Sequence, residues 1–170
     1  MHASRRDLFA RLESLGIATR TIEHEAVFTV AESTAVERDL PGGHTKNLFL
    51  KDAKGRLWLV VAEAHASVDL KALPERIGAA RLSFGNADLL GEVLGVTPGS
   101  VTAFAIMNDT AGRVTLVIDK TLMAHDTLNC HPLTNTATTA IARDDLLRFI
   151  RATGHEPIVV ELPSRASTSA

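Results

Sequence analysis

A chain of 170 residues that is 45% apolar and 22% charged, with a formal net charge of −2, has the size and composition of one ordinary globular domain. No apolar run in it is long enough to cross a bilayer. The near-neutral charge excludes a protein that binds nucleic acid by coating many phosphates, so any RNA contact is expected to be local. A single cysteine, Cys130, excludes an internal disulfide and a multi-cysteine metal site. The N-terminus turns charged at Arg5-Arg6-Asp7 with no secretory pattern, and a cytoplasmic protein is expected.

In chain order, Ser4-Arg5-Arg6-Asp7 reads as a capping box, and Leu8, Phe9, Leu12 and Leu15 repeat at helical spacing until Gly16. Ile22 to Val30 reads as extended, followed by a short helix from Ser33 to Asp39 and a turn at Pro41-Gly42-Gly43. Asn47–Asp52 and Leu57–Ala62 flank a polar, Gly55-containing turn, which predicts a hairpin of two central strands. Ser67–Ile77 is predicted helical around Pro74, and Asn86 caps a helix through Leu94 that Gly95 ends. Val101–Met107 and Arg113–Ile118 read as a second hairpin, with Asn108 and Asp109 in its turn. Thr136–Ile141 is predicted as a strand and Asp144–Ile150 as a helix closed by Gly154. Ile158–Leu162 is the last strand. The expected architecture is mixed α/β (α+β), a mixed central sheet surrounded by helices, in one domain over 1–162 with a disordered tail over 163–170.

The common catalytic templates are missing. There is no Gly-x-Ser-x-Gly elbow, phosphate loop, dinucleotide fingerprint or His-Glu-x-x-His pair. Cys130 and His131 are adjacent, so in an extended chain they point to opposite faces, and Cys130 is expected to be a buried structural thiol. The seven histidines lack metal-ligand spacing; neither a metal nor a cofactor is expected.

Four segments carry more information together than singly: Gly42–Asp52, Leu94–Val101, Ile106–Asp109, and His131–Thr139 with its His-Pro start. In this order and over nearly the whole chain they resemble the prolyl-tRNA synthetase-associated editing family, the YbaK-like domains, and within it the free-standing deacylases of Ala-tRNA(Pro). The resemblance implies hydrolysis of the ester that joins alanine to proline tRNA, in trans and without a metal. It also implies a tRNA acceptor end as partner, and no DNA or membrane. Prolyl-tRNA synthetase or an elongation factor is left open as a transient protein partner. Such chemistry suits the missing templates, because an aminoacyl ester is already activated and needs only a positioned water and a stabilised oxyanion.

By the same resemblance the catalytic candidates are Lys46, Gly99, Ser100 and His131, and the substrate-binding candidates are Thr45, Asn47, Asn135, Thr136 and Thr138. Lys46 would hold the terminal phosphate or ribose. The turn at Gly99-Ser100 would aim backbone N–H groups at developing negative charge, or serve only backbone geometry. His131 is either a structural hydrogen-bonding group or a general base. Asn135, Thr136 and Thr138 either line the pocket or satisfy strand edges. These elements are expected to converge on one cavity too narrow for a pyrrolidine ring. Cys130 stands where close relatives are expected to carry an aromatic residue, which bears on amino-acid specificity. Two other readings remain: a sibling deacylase for another small amino acid, and a non-catalytic tRNA-binding module.

Overall fold

The computed structural model describes residues 2–26 and 40–165. Helix α1 (Arg5–Ser14) begins at the expected capping box: the Ser4 side chain accepts from the Asp7 N–H, and the Asp7 carboxylate accepts from the Ser4 N–H. Its buried residues Leu8 and Leu12 lie one turn apart, as an amphipathic stripe requires. Strand β1 (Thr19–Glu23) starts three residues before the predicted extended segment and shares Ile22 and Glu23 with it. Residues 24–26 are described and are not strand; residues 27–30 of that segment and the Ser33–Asp39 helix lie outside the described residues.

The hairpin of β2 (Gly43–Asp52) and β3 (Leu57–Glu63) is antiparallel, with Phe49 opposite Leu59 and Lys46 opposite Ala62. Its turn is built on Asp52, whose carboxylate accepts the backbone N–H groups of Lys54, Arg56 and Ala80 and the Trp58 indole N–H. Burial alone would raise the Asp52 carboxyl, and these donors together hold it below the ordinary value. Next come helix α2 (Leu73–Ile77), strand β4 (Leu82–Phe84) and helix α3 (Ala87–Leu94). Helix α3 is capped by the Asn86 side chain and closed by Gly95 in the left-handed region, as expected. Strands β5 (Val114–Asp119), β6 (Thr127–Cys130) and β7 (Ala137–Ala142), helix α4 (Arg143–Ala152) and strand β8 (Ile158–Val160) follow.

The sheet runs β1-β7-β6-β2-β3-β5-β8, with β4 added to β2. Pairing is antiparallel for β1·β7, β6·β7, β2·β3 and β2·β4, and parallel for β2·β6, β3·β5 and β5·β8. The mixed fold class is therefore as expected. Strand β2 is the junction: Gly43 and His44 pair with β6, while Leu50, Lys51 and Asp52 pair with β4. Residues 45–49 span the fork between those two partners.

Alternation along β2 and β3 separates two cores. Phe49, Leu57, Leu59 and Val61 face the larger one, shared with α1, α3, α4 and the buried 103–106 segment. Leu50, Trp58, Val60 and Ala62 face the smaller one, closed by Val68, Leu73 and Ile77.

Two predicted elements differ. Val101–Met107 is not a hairpin strand: Ala103–Asn108 forms a 3-10 helix, capped by the Thr102 side chain. Ala103, Phe104, Ala105 and Ile106 are each fully buried, and a run enclosed on every side carries no two-residue or helical period to read. Only Leu73–Ile77 of the predicted 67–77 helix is helical. Asp69 Oδ1 accepts the N–H groups of Lys71 and Ala72, a local turn that competes with helix, and Pro74 sits in the first turn, where its missing N–H costs nothing. The expected tail begins with paired residues: Pro163 O accepts from Asp69 N, and Arg165 N donates to Ser67 O. Residues 166–170 lie outside the described residues.

Candidate active site

Lys46 lies in the fork of β2. Its register opposite Ala62 places it on the smaller-core face, while Thr45 and Asn47 point to the larger core. Its ammonium donates to Ala66 O and lines a cavity of about 720 Å³ with Leu48, Val68, Asp69, Lys71 and Phe84 among its walls. An ammonium has three donors, so this bond orients the group without exhausting it. Of the sequence candidates, Lys46 alone is among the described residues that line this cavity. The expected convergence of Lys46, the Gly99 turn and the strand after His131 on one narrow cavity is therefore not found among the described residues, because the register turns Lys46 to the smaller-core face.

The Thr45 hydroxyl donates to Asn129 O at 2.8 Å and approaches Cys130 Sγ at 3.6 Å, so it ties β2 to β6. Asn47 is different: its Oδ1 is buried and has no hydrogen-bond partner among the described residues. Leaving such an acceptor unpaired costs about 1–3 kcal/mol.

The remaining candidates gather around β7 and the loop before it. The His131 ring Nδ1 donates to Ala137 O at 3.1 Å, because a carbonyl can only accept. Nε2 of the neutral ring then carries the lone pair. Burial pushes the imidazole below its ordinary value, the Ala137 bond offsets part of this, and His24 nearby adds to the lowering. His24 had no assigned role in the sequence. Pairing of β1 with β7 brings its Nε2 to 2.8 Å from Thr138 Oγ1. A signal for it exists only in that long-range register. Thr136 is exposed, with its hydroxyl 3.1 Å from that of Thr134.

A Cβ on Gly99 would stand 3.3 Å from Asn135 Nδ2, so the Gly99 turn and the loop after His131 are in contact. Gly99 does not adopt a left-handed conformation; close approach, not turn geometry, is what its missing side chain serves. Ser100 is buried at the end of a short 3-10 turn (Pro98–Ser100), its N–H bonded to Thr97 O. Leu133, in the same loop as Asn135, holds φ at 65°, a conformation that costs a non-glycine residue about 1–2 kcal/mol. The structure thus brings His131, His24 and Thr138 together, and Gly99 with Asn135. Asn108 and Asp109 are structural: Asn108 bridges Ala3 N and Leu94 O, and Asp109 is buried under β5.

A model of the aminoacyl-tRNA editing domain matches residues 24–149. The chain belongs to the aminoacyl-tRNA editing domain family. It is 37% identical over 156 residues to the prolyl-tRNA editing protein ProX of Acetoanaerobium sticklandii, covering 91% of this chain and 95% of that one. It is 42% identical over 158 residues to prolyl-tRNA synthetase associated domain-containing protein 1 of Danio rerio, covering 92% and 86%. A solved structure described as a candidate trans-editing enzyme for prolyl tRNA synthetase superposes with a TM-score of 0.72 at 20% identity, over 96% of this chain and 99% of that one, a likeness of fold. The enzyme class read from the sequence, an aminoacyl-tRNA hydrolase, is that of the editing family.

Cys130 takes no part as a nucleophile. It is buried, and burial pushes its thiol up to about 11, against a smaller lowering by the Thr45 hydroxyl. Folded protein at neutral pH is therefore expected to leave a colorimetric disulfide reagent unreacted for hours and to release one equivalent at once in denaturant. Fast labelling of the native state would contradict this. Among the described residues no cluster of three or more His, Cys, Asp and Glu is arranged to hold a metal, and no helix is long and apolar enough to cross a membrane.

Proposed function

We propose that this editing domain hydrolyses the ester of mischarged tRNA(Pro) in trans, with Ala-tRNA(Pro) as its substrate. The observation that carries the reading is the Lys46 ammonium, fixed at the wall of a cavity in the fork of the sheet. Water adds to the ester carbonyl, negative charge collects on the carbonyl oxygen, and the carbon–oxygen bond to the ribose breaks to release the amino acid and a free 3′ end. A preorganised cation beside that oxygen stabilises it most when the charge is greatest. The terminal ribose's own free hydroxyl helps to orient the water.

Discrimination follows from size. A synthetase pocket that accepts proline rejects the smaller alanine only by lost contacts, at about 1–3 kcal/mol per missing methylene. A second pocket whose wall overlaps a pyrrolidine ring discriminates more steeply. Prolyl-tRNA synthetase or an elongation factor would meet the protein only transiently, and the site of action is the cytoplasm.

The test is a panel of tRNA(Pro) and other tRNAs charged with alanine, serine, cysteine and proline. Ala-tRNA(Pro) is expected to be cleared fastest and Pro-tRNA(Pro) to persist. Preference for another small amino acid would replace the substrate, and no clearance above spontaneous hydrolysis would leave a tRNA-binding module.

The pH profile addresses His131. Its folded value is lowered, so it is neutral from below 6.5 upward. If it acts as base, the rate should be flat above neutrality and fall on acidification with a midpoint below 6.5, and His131→Ala should abolish that limb. The linked stability has the same sign: the fold disfavours the protonated ring, so stability is complete above the ordinary histidine value and declines as pH falls through it.

A further inference from the structure

We infer that Phe84 is the stacking platform for an unpaired base at the 3′ end of the acceptor strand, with Lys71 and Arg165 beside it for the phosphates. This rests on the proposed tRNA substrate and adds where the nucleotides sit.

Phe84 is 64% exposed, an anomaly for a large apolar side chain at a strand end. It is nevertheless held firmly. Its Cα pairs with Leu50 across β2 and β4, and the next residue, Gly85, donates its N–H to Phe49 O. A Cβ on Gly85 would stand 2.5 Å from the Phe49 ring, so this glycine lets β4 pack close and fixes the backbone that carries Phe84. The register puts Phe84 on the same sheet face as Leu50, Leu48 and Lys46, and Phe84, Leu48 and Lys46 line one cavity.

Three of the side chains that line that cavity are cationic. Lys46, Lys71 and Arg165 line it with one carboxylate, Asp69, and the Asp69 Oδ1 already accepts two backbone N–H groups. The bond from Arg165 N to Ser67 O holds the Arg165 backbone at the rim. A volume of about 720 Å³ falls in the range of about 300–1,000 Å³ of small-molecule sites, room for a nucleotide beside the aminoacyl group. A flat exposed ring among cations is the arrangement that binds single-stranded nucleic acid, by stacking on every base type and by pairing with phosphate.

The experiment compares wild type, Phe84→Ala, Phe84→Trp and Lys71→Ala in steady-state deacylation of Ala-tRNA(Pro), with fluorescence anisotropy of a labelled ACCA oligoribonucleotide in parallel. Phe84→Ala is expected to raise KM, and the oligonucleotide Kd, about tenfold, with kcat within twofold and an unchanged thermal midpoint. Phe84→Trp should restore both. Lys71→Ala should weaken binding and flatten its salt dependence. The inference is overturned if Phe84→Ala leaves KM and oligonucleotide Kd within twofold of wild type, or lowers kcat alone. Should wild type clear no mischarged tRNA, the substrate reading fails; the oligonucleotide arm then still decides whether Phe84 is a stacking platform.

Discussion

Lys46→Ala is expected to lower kcat/KM for the mischarged tRNA by about 100-fold or more, the usual consequence of removing one preorganised donor from a developing oxyanion. Most of the loss should fall on kcat, because the ammonium matters most when the ester oxygen carries full charge. The protein should stay folded: Lys46 is partly exposed and contributes one hydrogen bond, to Ala66 O, so a change of about 1 kcal/mol in stability is the most expected. Lys46→Arg should not restore activity. The guanidinium keeps the charge, but its rigid planar fork cannot hold Ala66 O and also present the compact point charge of an ammonium to the same cavity. Single-turnover deacylation of radiolabelled Ala-tRNA(Pro) reads this directly, and retention of more than a tenth of wild-type kcat by Lys46→Ala would remove the residue from the chemistry.

The largest effect on stability is expected at Asp109, far from that chemistry. Asp109 is 3% exposed, and its carboxylate accepts from Arg113 N at 2.9 Å, Val114 N at 2.8 Å and His155 Nε2 at 2.8 Å. His155 is held on its other side by Thr153 Oγ1 at 2.9 Å. One side chain thus joins the start of β5 to the segment after α4. Asp109→Ala strands two backbone N–H groups and a buried imidazole, and removing one partner of such an arrangement costs about 3–5 kcal/mol. Urea unfolding should show a lower midpoint at an unchanged slope. Asp109→Asn keeps one acceptor oxygen and should lose less. A loss below about 1 kcal/mol for Asp109→Ala would mean that water replaces the carboxylate.

The sequence and the structure agree best where local chemistry is decisive. Ser4 and Asn86 are side chains whose geometry favours a helix start, and Gly95 can enter the left-handed region; α1 and α3 therefore begin and α3 ends where their residues indicate. The β2–β3 hairpin was legible because two apolar runs flank a turn with Gly55. Phe104 and its neighbours were not legible, since complete burial erases periodicity. Strands β4 and β6 have 3 and 4 residues, too few for a pattern, and they exist because β2 offers an edge to β4 and β7 pairs with β6 along its whole length.

For the site, resemblance to the editing family pointed to the residues but not to their faces. That Lys46 and Asn47 point to opposite sides of the sheet follows from register alone. The meeting of His24 with Thr138 needs two strands far apart in the chain to be paired. Sequence spacing contains neither fact.

The pairing of residues 67–69 with 163–165 gives the molecule a temporal property. A wall of the Lys46 cavity is completed by Ser164 and Arg165, more than a hundred positions downstream of Lys46, so a nascent chain can build the central hairpin early yet has no finished pocket until β8 and the segment after it have emerged. Hydrolytic competence would then wait for residues 163–165, and a partial translation product that carries Lys46 without them would not strip amino acids from the tRNAs that surround it on the ribosome.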